Sequence, residues 1–176
     1  MSRTLNYSRT LLRGFSTSVL SLQGLVILAI LFVIVFLISM HRRKMNIISK
    51  YGTDLYLYLV AQGFLPDTAQ IITAQAAHES GNFTSPVFIH NNNPFGMRLP
   101  ETRMTTGIGE YKGYAVYVDL ESAARDYWLY YQFCKYPQTW YSTDTFVEAL
   151  KKHNYFEADA ETYKTAVKKF YKLYFG

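Results

Sequence analysis

The sequence predicts an α+β fold: a mostly helical domain with a small β-hairpin lobe, preceded by one transmembrane helix. Three observations carry this. From Gly24 to Ile38 no polar side chain interrupts the chain. Helix caps and stops recur from Asp54 to Gly81 and again from Asp119 to Tyr174. Between these two blocks, Gly107, Gly109 and Gly113 punctuate short runs such as Tyr114-Ala-Val-Tyr-Val118, the pattern of short strands and tight turns.

The apolar run extends from Leu20 to Met40, broken only by Ser21, Gln23 and Ser39. These 21 residues, rising about 1.5 Å each, span about 31 Å, which matches the hydrocarbon core of a bilayer. The run is too long for the apolar region of a cleaved signal peptide, and no small-residue cleavage site follows it. The expected organisation is a cytoplasmic tail over 1–19, a transmembrane helix over 20–40, a juxtamembrane linker over 41–50 and a globular domain over 51–176. Residues 1–18 are rich in Arg and Ser and lack acids, as a mitochondrial transit peptide would be, but the long apolar segment directly behind them favours the membrane helix. Three arginines precede the helix and Arg42-Arg43-Lys44 follow it, so charge asymmetry does not set the orientation.

Within the globular part, residues 45–53 read as a juncture with a turn at Gly52. Asp54–Gly63 reads as a helix with Gly63 as its stop. Pro66 and Asp67 suit a first helical turn, and that helix runs to about Ser80 and ends at Gly81. Residues 82–103, with Asn91, Asn92, Asn93, Pro94, Gly96 and Pro100, read as a loop. A hairpin or three-stranded lobe follows over 104–118. Asp119 offers an N-cap for a helix to about Phe133, and Ser142 caps another that reaches about Lys152. The last helix covers Glu161–Tyr174. No internal repeat is present.

Charge distribution excludes one class of partner. The chain carries a formal net charge of +5, but residues 1–44 hold six of its 18 Lys/Arg and none of its 13 acids. Residues 45–176 therefore have 12 basic and 13 acidic residues, a net of −1. A domain that binds nucleic acid needs a concentrated basic surface, so none is expected as a partner. The single cysteine, Cys134, permits no internal disulfide and reads as a core thiol. The four histidines form no close ligand pair and no Cys/His cluster exists, so no metal is expected. Without a glycine-rich phosphate loop, no nucleotide or other cofactor is expected.

The residue that suggests chemistry is Glu79. Ile72, Ala76 and Glu79 follow spacings of four and three and share one helix face, so Glu79 extends an apolar stripe at the helix's C-terminal end. Burial and the negative end of the helix dipole both raise a carboxyl pKa there. A general acid needs that rise to stay protonated near neutral pH.

The stretch Ile71-Ile-Thr-Ala-Gln-Ala-Ala-His-Glu-Ser-Gly81, followed by Asn92-Asn-Pro-Phe-Gly-Met97, resembles the peptidoglycan endo-β-N-acetylglucosaminidase family of flagellar and autolysin enzymes. Gly109-Glu-Tyr111, Tyr114–Asp119, Glu121–Tyr127, Ala149–Tyr155 and Glu161–Lys164 continue the likeness, which covers about residues 50–174. The resemblance implies a lysozyme-like fold and hydrolysis of the β-1,4 bond between N-acetylglucosamine and N-acetylmuramic acid. It implies Glu79 as the catalytic acid and Glu110 as a β-lobe glutamate that activates water or stabilises charge. Tyr155 matches a C-terminal tyrosine implicated in catalysis, with Tyr163 as the alternative. Asn93, Phe95 and Gly96 match the turn that shapes the cleft floor, and Tyr111 and Tyr163 join them as substrate-binding candidates. Retaining, inverting and substrate-assisted chemistry all stay open, because sequence does not set the distance between Glu79 and Glu110. The expected partners are peptidoglycan strands and, through residues 20–40, a lipid bilayer. The expected location is the bacterial cytoplasmic membrane with the domain on its outer side. Because Glu79-Ser-Gly-Asn-Phe83 is also similar to lytic transglycosylases, the alternative is a muramidase or lytic transglycosylase on the same fold. An inactive wall-binding module of a lysis or secretion apparatus is the alternative outside enzymes.

Overall fold

The computed structural model describes the backbone of residues 22–176, and their side chains apart from residues 22 and 44–49. The expected tail over 1–19 and the first two residues of the expected span lie outside the described residues. The chain divides into two units, residues 1–41 and 42–176.

The helix α1 covers Leu22–Ala61. In its first part, Gln23–Arg43 is long and apolar enough to cross a membrane, and its apolar side chains are not buried within the protein. The expected break at 45–53 is absent: residues 41–53 are helical throughout. Gly52 is not a turn but a contact point. A Cβ placed there would lie 2.3 Å from Cε1 of Tyr174, so the missing side chain makes room for that ring. The helix stops where the sequence indicates, with Gly63 at φ +105°.

The second unit is built around α2, Pro66–Glu79. Pro66 opens it and Ser80 closes it, as the sequence suggests. Every residue from Ile71 to Ala77 is buried, so the expected stripe is a helix enclosed on all sides. Its neighbours are Leu55 and Leu59 of α1 and the aromatic side chains of the later helices. Full burial of side chains such as Phe95, Phe146 and Leu150 stabilises the fold by about 1.5–3 kcal/mol each.

Residues 82–103 are not all loop. Ser85 accepts a hydrogen bond from Phe88 N at 3.1 Å and caps a short helix, α3, over Pro86–Asn91. Six residues are too few for an apolar period to show, and the asparagine run that follows hides the cap. Next come β1, Gly109–Tyr111, and β2, Tyr114–Val116, an antiparallel pair with Glu110 opposite Ala115. Lys112 and Gly113 both have positive φ, 54° and 80°, as a two-residue hairpin of the I′ type requires. The lobe has two strands rather than three. The place of a third is taken by residues 91–97, whose Asn91 and Met97 carbonyls accept from Tyr117 N and Ala115 N.

Three capped helices complete the unit: α4, Leu120–Phe133, α5, Thr143–Lys152, and α6, Ala160–Phe175. Asp119 and Ser142 cap the first two, as expected. Asp159, not singled out by sequence, caps the third by accepting from Thr162 N at 2.9 Å. Helix α6 packs along α2 and so brings its own side chains to the end of α2 that carries Glu79. The architecture is mostly helical with one small antiparallel sheet, in keeping with the lysozyme-like α+β expectation.

Candidate active site

Glu79 is the last residue of α2, and the chain reverses immediately after it. Gly81, Asn82 and Phe83 all have positive φ, at 57°, 59° and 59°. Glycine adopts this region freely, whereas Asn and Phe are strained in it, so surrounding contacts must hold the turn. Ser80 Oγ donates to Ala76 O at 2.6 Å and accepts from Phe83 N at 2.9 Å. Phe83 is buried and meets Phe88 edge-on at 5.4 Å. The Asn82 side chain accepts from Tyr174 at 2.8 Å. The turn thus fixes the end of the helix at Glu79.

The Tyr163 hydroxyl, brought by α6, donates to Glu79 Oε1 at 2.5 Å. Burial raises the Glu79 pKa above the ordinary carboxyl range, and the Tyr163 hydrogen bond opposes that rise. Burial, and then the adjacent Glu79 charge, hold the Tyr163 phenol protonated far into alkali. Tyr163 is fixed by parallel stacking on Phe156 at 3.8 Å and by the edge of His78 at 4.8 Å. His78 is pushed toward its neutral form by burial.

Behind Glu79, one helical turn back, sits Gln75. Its Oε1 accepts from the Tyr127 hydroxyl at 2.7 Å. Its Nε2 is buried without a hydrogen-bond partner, though the amide lies near enough to the Tyr163 hydroxyl to oppose that group's pKa rise. Tyr127 in turn stacks on Phe95 at 4.2 Å. The Phe95 carbonyl accepts from the Tyr155 hydroxyl at 2.9 Å. Tyr155 is therefore beside the site rather than on the carboxyl. Burial, and then the Glu79 charge, raise its pKa well above the ordinary phenol value.

The sequence candidates separate into two groups. Glu79, Tyr155, Phe95 and Gly96 line a cavity of about 680 Å³, together with Arg98, Arg103 and Tyr130. Glu79, Gly96, Arg98 and Asn93 also border a second cavity of about 310 Å³. Tyr163 lines neither cavity but is bonded to the carboxyl they share. Asn93 is buried and works within the protein: its Nδ2 donates to Met97 O and Ala115 O, and its Oδ1 accepts from Phe95 N and Met97 N. Asn91 and Asn92 similarly bind carbonyls of the hairpin, so the asparagine run ties the β lobe to the turn. Glu110 and Tyr111 stand apart. Both are exposed on β1 and line neither cavity beside Glu79.

One wall of the larger cavity depends on a buried ion pair that sequence reading did not find. Arg103 holds Asp126 through two hydrogen bonds, at 3.0 and 2.8 Å, and Asp126 also accepts from Thr106 N and the Tyr117 hydroxyl. Burial alone would raise the Asp126 pKa, but Arg103, Thr105 and Tyr117 outweigh it and hold the carboxyl below its usual value. The two partners are 23 residues apart with no shared pattern, so only the fold brings them together. Gln75 and Tyr127 lie within the stretches Ile71–Gly81 and Glu121–Tyr127. The signal for Gln75 was its position four residues before Glu79, on the same helix face.

The arrangement is a protonatable carboxyl at the meeting of two cavities large enough for sugar rings, held by a tyrosine network. No curated protein and no solved structure gives a significant match. Residues 65–175 match the glucosaminidase family, described as mannosyl-glycoprotein endo-beta-N-acetylglucosaminidase. The chain belongs to this glucosaminidase family and is a glycoside hydrolase of the endo-β-N-acetylglucosaminidase type.

Proposed function

We propose that this enzyme cleaves the β-1,4 bond between N-acetylglucosamine and N-acetylmuramic acid in peptidoglycan, with Glu79 as the general acid. The observation that carries the reading is the Glu79 carboxyl itself, its pKa raised by burial and its side chain shared by the two cavities. The Tyr163 proton occupies Oε1, so the acid proton belongs on Oε2, free for the glycosidic oxygen.

Glu110 lines neither cavity, which favours the substrate's own acetamido group as nucleophile over a second carboxylate. In this reading the acetamido oxygen attacks C1 while Glu79 protonates the glycosidic oxygen, and the C1–O bond breaks. Glu79, now a carboxylate, takes a proton from the water that then attacks C1 and opens the cyclic intermediate. The anomeric configuration is retained. Tyr163 positions the carboxyl through its hydrogen bond, and Tyr155 lines the larger cavity while bracing the Phe95 turn. The apolar stretch Gln23–Arg43 supports membrane anchorage; a wall substrate then requires residues 1–19 on the cytoplasmic side, 41–50 as a helical connection and the domain over 51–176 facing the wall.

The test is digestion of purified peptidoglycan by the full chain in detergent, with mass spectrometry of the reduced fragments. We expect new reducing-end N-acetylglucosamine, and a loss of about 10²–10⁴-fold in Glu79→Gln, the usual contribution of a general acid. Reducing or anhydro muramic ends would instead establish the muramidase or transglycosylase alternative.

A further inference from the structure

Two cavities meet at Glu79, and one cation borders both. Arg98 lines the larger and the smaller cavity, and its side chain is exposed. Among the described residues its guanidinium has no hydrogen-bond or ion-pair partner. The other arginine of the larger cavity, Arg103, is neutralised by buried Asp126. In the smaller cavity Glu79 and Arg98 are the lining residues that carry charge, and Glu79 stays neutral to higher pH than an ordinary carboxyl. While the acid holds its proton, that cavity presents a single positive charge.

The backbone beneath Arg98 is held firmly. Met97 N donates to Asn93 Oδ1 at 3.1 Å, and Met97 O accepts from Asn93 Nδ2 at 2.8 Å and from Ala115 N at 2.9 Å. The guanidinium is thus presented from a fixed point with its fork unoccupied. A planar fork of N–H donors fits a carboxylate with two parallel hydrogen bonds. A neutral glycan offers only hydroxyl and acetamido groups, which would leave the charge unmatched. The muramic acid substituent carries carboxylates, along the peptide stem or on the lactyl group where the stem is absent.

We propose that Arg98 is the binding site for a carboxylate of that substituent, and that it selects anionic wall glycan over a neutral glycan of the same backbone. This rests on the peptidoglycan reading above. Wall-linked polymers supply phosphate as another anion, and the test separates the two sources.

The experiment compares full-length wild type, Arg98→Gln and Arg98→Lys in detergent on three glycans: native peptidoglycan, peptidoglycan stripped of phosphate polymers, and peptidoglycan with its carboxyl groups amidated. A charge-assisted contact is worth roughly 1.5–3 kcal/mol, so amidation is expected to raise the wild-type KM about tenfold or more with little change in kcat. Arg98→Gln is expected to show the same rise on native glycan, and the amidation penalty is expected to fall to about twofold or less in that variant, the non-additivity of a direct contact. Arg98→Lys should recover part of the effect. Equal wild-type KM on native and amidated glycan would overturn the proposal, as would a KM that responds to phosphate stripping alone. If the wild type cleaves none of the three, the peptidoglycan reading fails. Co-sedimentation with native against amidated glycan then still reads the Arg98 contact, and equal binding would overturn it.

Discussion

Glu79 and Tyr163 share one short hydrogen bond, and its direction sets the pH behaviour of the site. Acid catalysis uses the protonated carboxyl. Burial raises the Glu79 pKa, so with Glu79 as the proposed general acid the protonated fraction, and with it the expected rate, persists above the ordinary carboxyl range and falls as pH climbs through the raised value. Tyr163 opposes that rise because its hydroxyl stabilises the carboxylate. Removing the hydroxyl in Tyr163→Phe should therefore move the alkaline limb of the kcat profile to higher pH, not lower. It should also lower kcat by roughly 10–100-fold, because a charge-assisted hydrogen bond of about 1.5–3 kcal/mol no longer orients the carboxyl. A pH–rate series on the two proteins checks both signs. A limb that stays in place, with kcat merely reduced, would mean that Tyr163 packs against the site without tuning it.

The helix α1 meets α6 at a position where backbone propensity and packing disagree. Alanine in a helix interior is favoured over glycine by about 1 kcal/mol, so propensity alone predicts that Gly52→Ala stabilises. The new Cβ would sit 2.3 Å from the Tyr174 ring, whose hydroxyl holds the strained turn at Asn82. Packing should win, with a loss of about 1–3 kcal/mol. In a Tyr174→Ala background the sign should reverse to a gain of about 0.5–1 kcal/mol. Thermal unfolding of the four proteins reads this cycle, and stabilisation by Gly52→Ala in the native background would refute it. The same position shows what sequence conveys at this scale. Caps at Asp119 and Ser142 were legible because the capping side chain and its target lie three residues apart. Gly52 read as a turn because its reason for being glycine is a ring 122 positions along the chain, at Tyr174. Helix α3 was hidden by its shortness and by the Asn91–Asn93 run, whose side chains bond to the hairpin rather than forming a free loop.

Across the whole molecule, the class of fold and the acid at the end of α2 were legible because each is a local pattern: alternating caps, a glycine-punctuated hairpin, and a carboxylate in phase with buried positions. What completes the site was not local. Tyr163 lies 84 residues from Glu79 and Tyr127 lies 52 from Gln75. Nothing in their spacing distinguishes them from core tyrosines. The apolar segment is the most local pattern of all, since its length and apolarity alone mark it as able to cross a membrane. Its consequence is a test of whether the catalytic domain works tethered. An arginine at the centre of a spanning helix costs about 2.5–3.5 kcal/mol, so Ile30→Arg with Ile34→Arg should release the full chain from membranes that otherwise retain it through an alkaline carbonate wash. A protein that still begins at residue 1 and stays in the wild-type membrane pellet is the expected outcome. A mature chain beginning after residue 40, by intact mass, would make the segment a cleaved signal and the enzyme a free one. Because a tethered domain would reach only wall that lies close to the membrane, the released double variant should also spread its cleavage more widely through whole sacculi than a membrane-retained wild type does.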